Sequence, residues 1–305
     1  MTRLLIAMIS AAALTAGVAH GDSRLRIVTT TSDMADFARN IGMDRVVVTS
    51  LSRGDQDPHA VEPRPSMVVQ LKKTNLLIRV GMDLDQWVES LIDAARNPSV
   101  MEGAKGYLDA SLPIVKLEIP EGRIDSRMGD IHIYGNPHYW ISPENAKPIL
   151  SSILAKMCEI SPSNADYFRK NHEEYAKRLD AAIHRWKERL KPYRGAKIVA
   201  YHNSWPYFAQ CFGLVIVGFV EPKPGIPPTP SHIASLVGKM KAENVRVIVM
   251  EPYFNLRTAQ SIASKAAARV AVLAPSVGGL EGTDTYIDLL DNDIARLTDA
   301  LQAPR

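Results

Sequence analysis

Cysteine is scarce in this 305-residue chain, which contains two, Cys158 and Cys211. They lie far apart and form no CxxC spacing, so we expect neither a dense disulfide framework nor a cysteine-based zinc site. Both fall in helical patterns among apolar neighbours. We therefore expect buried free thiols, and a single disulfide in an oxidising compartment is the alternative.

A strong excess of charge of one sign is also absent. The chain has 36 Lys and Arg against 33 Asp and Glu, with a formal net charge of +3. No stripe of Lys and Arg is interleaved with aromatic residues, so nucleic acid is not an expected partner. Beyond the N-terminus, no segment is apolar enough to cross a bilayer, which needs about 20 apolar residues.

The N-terminus has the pattern of an export signal. Met1-Thr2-Arg3 precedes an apolar stretch over residues 4–18, and small residues follow at Ala19 and Gly21. A charged start, an apolar run and a small-residue cleavage zone predict a secretory signal peptide over residues 1–19, cleaved after Ala19 or Gly21. An uncleaved anchor is the alternative, although the apolar run is short for a membrane span. We expect an exported, soluble mature chain.

The rest of the chain alternates between strand and helix patterns in two series. About 285 residues exceed one typical domain, which favours two lobes. Short β-branched runs predict strands, and 3.6-residue periodicity predicts the helices between them. The expected fold class is therefore α/β, with two lobes that are each a parallel sheet flanked by helices. Predicted strands cover 25–30, 45–51, 75–81, 197–202, 213–220, 245–251 and 269–275, and predicted helices cover 32–42, 65–74, 85–97, 204–212, 231–242 and 257–268.

One unusually long helical pattern separates the two series. It runs from Ser161-Pro162 to about Tyr193, and a helix of about 30 residues is about 45 Å long. That length suits a rigid connection between lobes over 22–160 and 194–305, with 161–193 as the linking helix; a coiled-coil arm is the alternative. The apolar positions of the pattern are Phe168, Tyr175, Leu179, Ile183, Trp186 and Leu190.

Two proline-histidine segments stand out in the first lobe. They are Asp57-Pro58-His59 and Asn136-Pro137-His138, and each leads into a predicted helix that starts near a serine, Ser66 or Ser142. Proline fixes its own backbone and restrains the preceding residue, so each imidazole is presented from a braced loop. Two such imidazoles suggest a metal site, and isolated surface or capping histidines are the alternative.

Two further candidate ligands belong to the second lobe. His202 ends a predicted strand, and ligands of parallel sheets gather at the carboxyl ends of strands. Asp284 lies at the predicted first turn of the final helix. An ionised carboxylate at a helix N-terminus is a suitable metal ligand, and a plain helix cap is the alternative.

Five motifs together resemble those of the periplasmic metal receptors of ABC importers, the zinc and manganese solute-binding proteins. The motifs are DPHAVEPRPS, NPHYWISPENA, AYHNSWPYF, VMEPYFN and GTDTY. They stand in the family's order over essentially the whole mature chain. The resemblance implies two α/β lobes joined by one rigid helix, with a single metal ion between the lobes. By motif, it implies that His59, His138, His202 and Asp284 are the ligands.

The donor set implied by the resemblance favours zinc as the transported ion. Manganese-binding relatives tend to carry Glu where this chain has His202, and imidazole suits Zn²⁺ better than Mn²⁺. Three imidazoles and a carboxylate complete a tetrahedral zinc shell. Copper and nickel would also bind such a set in vitro. The resemblance implies a high-affinity periplasmic zinc receptor that is not an enzyme. It is expected to be a monomer that delivers Zn²⁺ to an ABC permease, and a periplasmic metal carrier is a further possible partner.

Two residues near these motifs have suggested accessory roles. Many zinc receptors carry a long His-rich insertion before the second ligand motif, whereas here the stretch EGRIDSRMGDIHIYG is short and holds one histidine, His132. His132 is expected to capture zinc transiently on a flap, and a plain loop is the alternative. Glu62 is expected to orient His59 from outside the ligand shell, and capping or a salt bridge is the alternative.

An exported zinc hydrolase is the competing hypothesis. Catalytic zinc keeps three protein ligands and an open position, so His59, His138 and His202 could form a His₃ site with Asp284 as a base. The sequence contains no HExxH motif. Ligands taken from both predicted lobes suit capture and release better than hydrolysis.

Overall fold

The computed structural model describes residues 24–121, 129 and 132–302. The predicted signal peptide and residues 122–128 and 130–131 of the stretch EGRIDSRMGDIHIYG lie outside the described residues. Among the helices of the described part, none combines the length and the apolar character that crossing a membrane requires.

The first half of the described chain forms a four-stranded parallel sheet with the strand order β2-β1-β3-β4. All four residues of the central strand β3 are buried, as expected for a parallel sheet covered on both faces. The predicted strands and helices are confirmed to within a few residues at their ends. The elements are β1 (Leu25–Thr29), α1 (Ser32–Gly42), β2 (Val46–Ser50), α2 (Pro65–Lys72), β3 (Leu76–Arg79), α3 (Glu89–Ala95), β4 (Tyr107–Asp109) and α4 (Pro143–Ile160).

The second half repeats this plan. Its parallel sheet has the order β6-β5-β7-β8, which is the same arrangement relative to the chain as in the first sheet. The central strand β7 is likewise buried at every residue. The elements are β5 (Lys197–Ala200), α6 (Pro206–Phe212), β6 (Val215–Phe219), α7 (Pro230–Ala242), β7 (Val247–Met250), α8 (Leu256–Ala266), β8 (Arg269–Val272) and α9 (Tyr286–Gln302).

The long linking helix is confirmed as α5 (Ala165–Leu190), with 3₁₀ turns at Pro162–Asn164 and Lys191–Tyr193. Its 26 residues correspond to a length of about 39 Å. All six apolar positions predicted from the periodicity are buried. The helix packs on α1 and α4 of the first half and on α9 of the second. It is therefore held by both lobes along its length.

A second connection between the lobes runs from α1 to the segment before α9. The Val277 N–H donates to Asp33 Oδ1 at 3.0 Å, and the Tyr286 N–H donates to Asp36 Oδ2 at 3.1 Å. The rings of Phe37 and Tyr286 pack with 4.7 Å between their centroids. Because α1 belongs to the first lobe and Tyr286 to the second, these contacts oppose large rotations of one lobe against the other.

Both cysteines are free thiols on helices, Cys158 on α4 and Cys211 on α6. Each is half-buried rather than fully buried. Burial raises the pKa of both thiols, which lowers their reactivity at neutral pH.

Candidate metal centre

Three predicted ligands, one from each of three separate segments, converge in the structure. His59 lies in the loop after β2, His138 directly precedes the 3₁₀ turn that leads into α4, and His202 follows the end of β5. One ring nitrogen from each imidazole lies within 4.8 Å of those of the other two. The three imidazoles therefore come from both halves of the chain.

His59 is oriented by the aspartate two residues before it. Its backbone N–H and its Nδ1–H both donate to Asp57 Oδ1, at 2.9 and 2.8 Å. The intervening Pro58 has a fixed φ, and its carbonyl accepts a hydrogen bond from Trp87 Nε1 at 3.0 Å. The loop thus sets both the position and the rotation of the ring.

His138 is held in the same way by Asn136. Its backbone N–H and its Nδ1–H donate to Asn136 Oδ1, each at 3.0 Å. The amide NH₂ of Asn136 donates to Glu118 Oε2 at 2.9 Å and to the Asn203 carbonyl at 2.8 Å. Because the amide oxygen accepts and cannot donate, Nδ1 of His138 carries the proton and Nε2 keeps its lone pair.

Strand pairing brings His202 and its hydrogen-bond partner together. Ala200 on β5 is in register with Phe219 on β6, and also with Val249 on β7. His202 and Glu221 each lie two residues beyond their aligned positions, and the Nδ1–H of His202 donates to Glu221 Oε2 at 2.7 Å. The parallel register therefore brings together two residues that are 19 positions apart in sequence.

All three imidazoles thus have Nδ1 occupied and Nε2 available. The Nε2 atoms of His59 and His138 are buried and have no hydrogen-bond partner in the described part of the protein. Buried polar atoms are rarely left without partners. Metal-bound histidines usually donate the second ring N–H to a carboxylate or carbonyl group, which is the arrangement found here. The donor chemistry therefore fits a metal ion that binds three Nε2 atoms.

The electrostatics keep His138 neutral and surround His202 with carboxylates. Burial, followed by repulsion from His59 and His202, holds the pKa of His138 well below its usual range. Burial also lowers the pKa of His202, but its hydrogen bond to Glu221 and the charge of Glu251 outweigh this, so the net shift is upward.

Glu251 supplies a further buried carboxylate at the site. It stands two residues beyond Val249 and so follows β7 where His202 follows β5. Trp205 Nε1–H donates to its Oε1 at 3.1 Å, while its Oε2 is buried without a partner in the described residues. Burial raises the pKa of Glu251 to about 7. Together with Asp57 and Glu221, this group provides negative charge that can balance a buried dication.

The accessory residue His132 lies beside the same group. Its ring centroid is 5.2 Å from that of His59, and its Nε2 is buried without a partner. Burial, followed by repulsion from His59 and His202, lowers the pKa of His132 to about 3. His132, His138 and His202 line one cavity of ≈ 390 Å³ together with Glu118 and Glu121.

Asp284 and Glu62 lie outside the group of three imidazoles. Asp284 is exposed in the bend that precedes α9 and is not part of the three-imidazole group. The helix begins two residues later than the sequence indicated, at Tyr286. Glu62 is exposed, and the carboxylate bonded to His59 belongs to Asp57.

Comparison with known proteins places the chain in a family. The family model described as "Zinc-uptake complex component A periplasmic" (ZnuA) matches residues 27–300. This chain belongs to that family. It is 26% identical over 285 residues to the high-affinity zinc uptake system protein ZnuA of Bacillus subtilis, covering 91% of this chain and 88% of the relative. It is also 26% identical over 278 residues to the iron-binding protein YfeA of Yersinia pestis, covering 88% and 83%.

Solved structures show the same fold. A zinc-bound deletion mutant of ZnuA superposes with a TM-score of 0.77 at 24% identity, covering 92% of this chain and 100% of that one. A manganese-bound periplasmic metal-binding protein from Candidatus Liberibacter asiaticus has a TM-score of 0.75 at 22% identity, with coverage of 91% and 100%. The ZnuA-family chain is a metal-binding periplasmic receptor of the kind that serves ABC importers.

Proposed function

We propose that this protein captures Zn²⁺ with His59, His138 and His202 and delivers it to the membrane permease of an ABC importer. The observation that carries the proposal is the shared state of the three imidazoles: each Nδ1–H is held by Asp57, Asn136 or Glu221. Each Nε2 thereby keeps a free lone pair, and one ring nitrogen of each imidazole lies within 4.8 Å of those of the other two.

The choice of zinc rests on donor chemistry. The similar proteins are named for different metals, since ZnuA of B. subtilis is a zinc uptake protein, YfeA is iron-binding, and the Streptococcus mitis relative PsaA is named for manganese. Three nitrogen donors suit Zn²⁺, whereas Mn²⁺ prefers carboxylate and carbonyl oxygens. His202 is the position that adds the third nitrogen.

A tetrahedral zinc ion bound by three imidazoles has one further coordination position. The family motif assigns this position to Asp284, whose side chain is exposed in the bend before α9. On the motif-based assignment, the segment that carries Asp284 moves toward the cleft when zinc binds. The interlobe contacts of α5 and α1 favour such local movement over rotation of a whole lobe.

The remaining steps follow from capture at an interlobe site. Zinc enters the cavity lined by His138 and His202, the loaded protein docks on the permease as a monomer, and the metal leaves when the cleft is opened there. A periplasmic carrier could supply the metal. Residues of both lobes shield the bound Zn²⁺ from water while the protein carries it to the permease.

Metal titration of the mature protein tests the proposal. The demetallated chain is titrated with Zn²⁺ and with Mn²⁺ in competition with chelators of known affinity. We expect one zinc ion per chain, bound with a Kd on the order of nanomolar or tighter, and much weaker binding of manganese. His138→Ala should weaken zinc binding by at least about 100-fold, and His184→Ala, at an exposed position on α5, should leave it unchanged. Tighter binding of manganese than of zinc would overturn the assignment of the metal.

A further inference from the structure

The acceptor atoms that hold the three imidazoles follow a common pattern, in which each accepts one ring N–H and one backbone N–H. Asp57 Oδ1 accepts the Nδ1–H and the backbone N–H of His59, and Asn136 Oδ1 accepts the same two groups of His138. In both cases the histidine itself supplies the backbone N–H. Acceptor and ring are therefore fixed within the Asp-Pro-His or Asn-Pro-His segment itself.

His202 departs from this pattern in the source of the backbone N–H. Its acceptor, Glu221 Oε2, receives the Nδ1–H of His202 at 2.7 Å, but the backbone N–H that it accepts belongs to Gly225, at 3.3 Å. Gly225 lies four residues beyond Glu221 in sequence. The orientation of this predicted ligand therefore depends on a segment that is not continuous with it in sequence.

Gly225 belongs to a tight turn over residues 223–226. The Ile226 N–H donates to the Lys223 carbonyl at 3.0 Å, and these two residues form an isolated antiparallel bridge. Pro224 stands at the second position of the turn, and Gly225, with a φ of 74°, stands at the third. A type II turn favours proline and glycine at these positions, because proline presets its own φ and the third residue needs a positive φ. The Pro-Gly pair thus fixes the direction in which the Gly225 N–H points.

The turn lies at the rim of the metal cavity. Pro224 lines this cavity together with His202, whereas Gly225 is exposed. The chain of hydrogen bonds from Gly225 through Glu221 to His202 therefore has one end at the surface and the other at a predicted ligand. A displacement of the turn acts on the ligand through these two hydrogen bonds and does not have to pass through the core of either lobe.

We propose that the Pro224-Gly225 turn positions His202 through Glu221 and thereby sets the rate at which zinc leaves the site. This inference rests on the proposed function and names the part of the surface that governs release. Loss of the Gly225 bond frees the carboxylate to rotate, and the imidazole then loses the orientation that Glu221 imposes. The two imidazoles of the first lobe keep theirs, because their acceptors do not depend on the turn.

The rate of zinc dissociation measures the effect of the turn. The mature protein loaded with one Zn²⁺ is mixed with an excess of chelator, and release is followed over time. Valine is β-branched and strained at positive φ, so Gly225→Val should displace the N–H. We expect release to accelerate by about tenfold, the lower end of the range for loss of an outer-shell partner, since affinity changes appear mostly in the dissociation rate.

Two further variants control for the strain that valine introduces. Asparagine is accepted at the third position of a type II turn, so Gly225→Asn should keep the N–H in place and release zinc much more slowly than Gly225→Val. Gly195→Val is the matched control in the same lobe. Gly195 has a φ of 79° just before β5, and a Cβ there would meet no atom within 4 Å. This variant should release zinc at the wild-type rate.

A double-mutant cycle separates positioning from a general disturbance of the lobe. In the Glu221→Ala background the turn has no carboxylate to hold, so Gly225→Val should not accelerate release further. An equal acceleration in both backgrounds, or none in the wild-type background, would overturn the proposal while leaving the receptor intact. Failure of the wild type to bind one Zn²⁺ would instead overturn the proposed function.

Amide hydrogen exchange of the metal-free protein tests the bond itself and needs no substitution in the turn. Gly225 is exposed, so protection of its N–H should come from the bond to Glu221. We expect Glu221→Ala to accelerate exchange of this N–H by about tenfold or more, as loss of a hydrogen bond to a charged acceptor predicts. Glu188→Ala, at an exposed position on α5, should leave it unchanged. Equal exchange in wild type and Glu221→Ala would overturn the proposal even if Gly225→Val does not fold.

Discussion

The Nδ1 atom of His202 lies 2.7 Å from Oε2 of Glu221, and both side chains are buried. The bond links a predicted ligand to a carboxylate on the adjacent strand end. Because the carboxylate accepts, Nδ1 of His202 carries the proton and Nε2 keeps its lone pair, and a negative charge lies beside the three imidazoles. The sheet holds the two residues in place, since the register of β5 and β6 positions both of them.

Removing this carboxylate should therefore weaken metal binding without removing a ligand. We expect Glu221→Ala to reduce zinc affinity by about 10–100-fold, because His202 loses its orientation and the dication loses compensating charge. Glu221→Gln keeps an acceptor and should fall between wild type and Glu221→Ala. Chelator competition measures the effect, with Glu188→Ala on the exposed face of α5 as the control. Equal affinity in wild type and Glu221→Ala would show that the bond has no part in binding.

The aspartate that holds His59 gives a second prediction. Asp57 accepts two hydrogen bonds from His59, from the backbone and from Nδ1. Asp57→Ala removes both, so the imidazole is free to rotate, and we expect a loss of zinc affinity of about 10–100-fold. Asp55→Ala is the matched control, because Asp55 is exposed in the same loop and pairs with Arg53. If both variants lose affinity equally, the effect comes from the loop as a whole and not from the bond to His59.

The two proline-histidine segments could be recognised in the sequence because their signals are local. Asp57-Pro58-His59 and Asn136-Pro137-His138 are short motifs, and the structure shows why the Asx residue matters as well as the proline. Its side-chain oxygen binds both the backbone and the ring of the histidine two positions later. Asp57 and Asn136 were not predicted to have a role, although both stand in the quoted motifs.

Glu221 and Glu251 could not be predicted in the same way. Whether Glu221 and Glu251 lie near His202 depends on which strands are neighbours and on their register. Neither can be read from the spacing of residues in the sequence. Strand β4 was also missed, because three residues carry too little periodicity to distinguish a strand from a turn. By contrast, α5 was predictable over nearly its full length, since its six buried apolar positions repeat over many turns.

Phe37 joins the lobes through aromatic packing and gives a prediction for stability. Its fully buried ring lies 4.7 Å from the ring of Tyr286 and 6.5 Å from that of Tyr175, between centroids. Phe37→Ala should lower the free energy of unfolding by about 3–5 kcal/mol, measured by denaturant titration of the metal-free protein. Val69→Ala on α2, where the side chain is 54% exposed, should change it little. A small effect of Phe37→Ala would mean that the neighbouring rings close the cavity.

The contact between α1 and the segment before α9 should make stability depend on pH. Asp33 is fully buried and accepts a hydrogen bond from the Val277 N–H, and burial raises its pKa from 3.8 to about 7. A carboxyl group with a raised pKa in the folded state favours folding when it is protonated. Its contribution is complete below pH 3.8, the value in the unfolded chain, and is lost as the pH rises to about 7.

Asp33→Asn should remove this dependence because the amide keeps an acceptor for Val277 but does not ionise. We expect Asp33→Asn to become more stable relative to wild type as the pH rises from 4 to about 7, the pKa of buried Asp33. The difference between their free energies of unfolding should change by at most about 4 kcal/mol over this range. Denaturant titrations of the metal-free proteins at several pH values measure it. Asp93→Asn, at an exposed position on α3, is the control and should run parallel to wild type. A constant offset for Asp33→Asn over this range would show that Asp33 is ionised throughout, and that its hydrogen bond from the Val277 N–H stabilises the buried charge enough to cancel its desolvation.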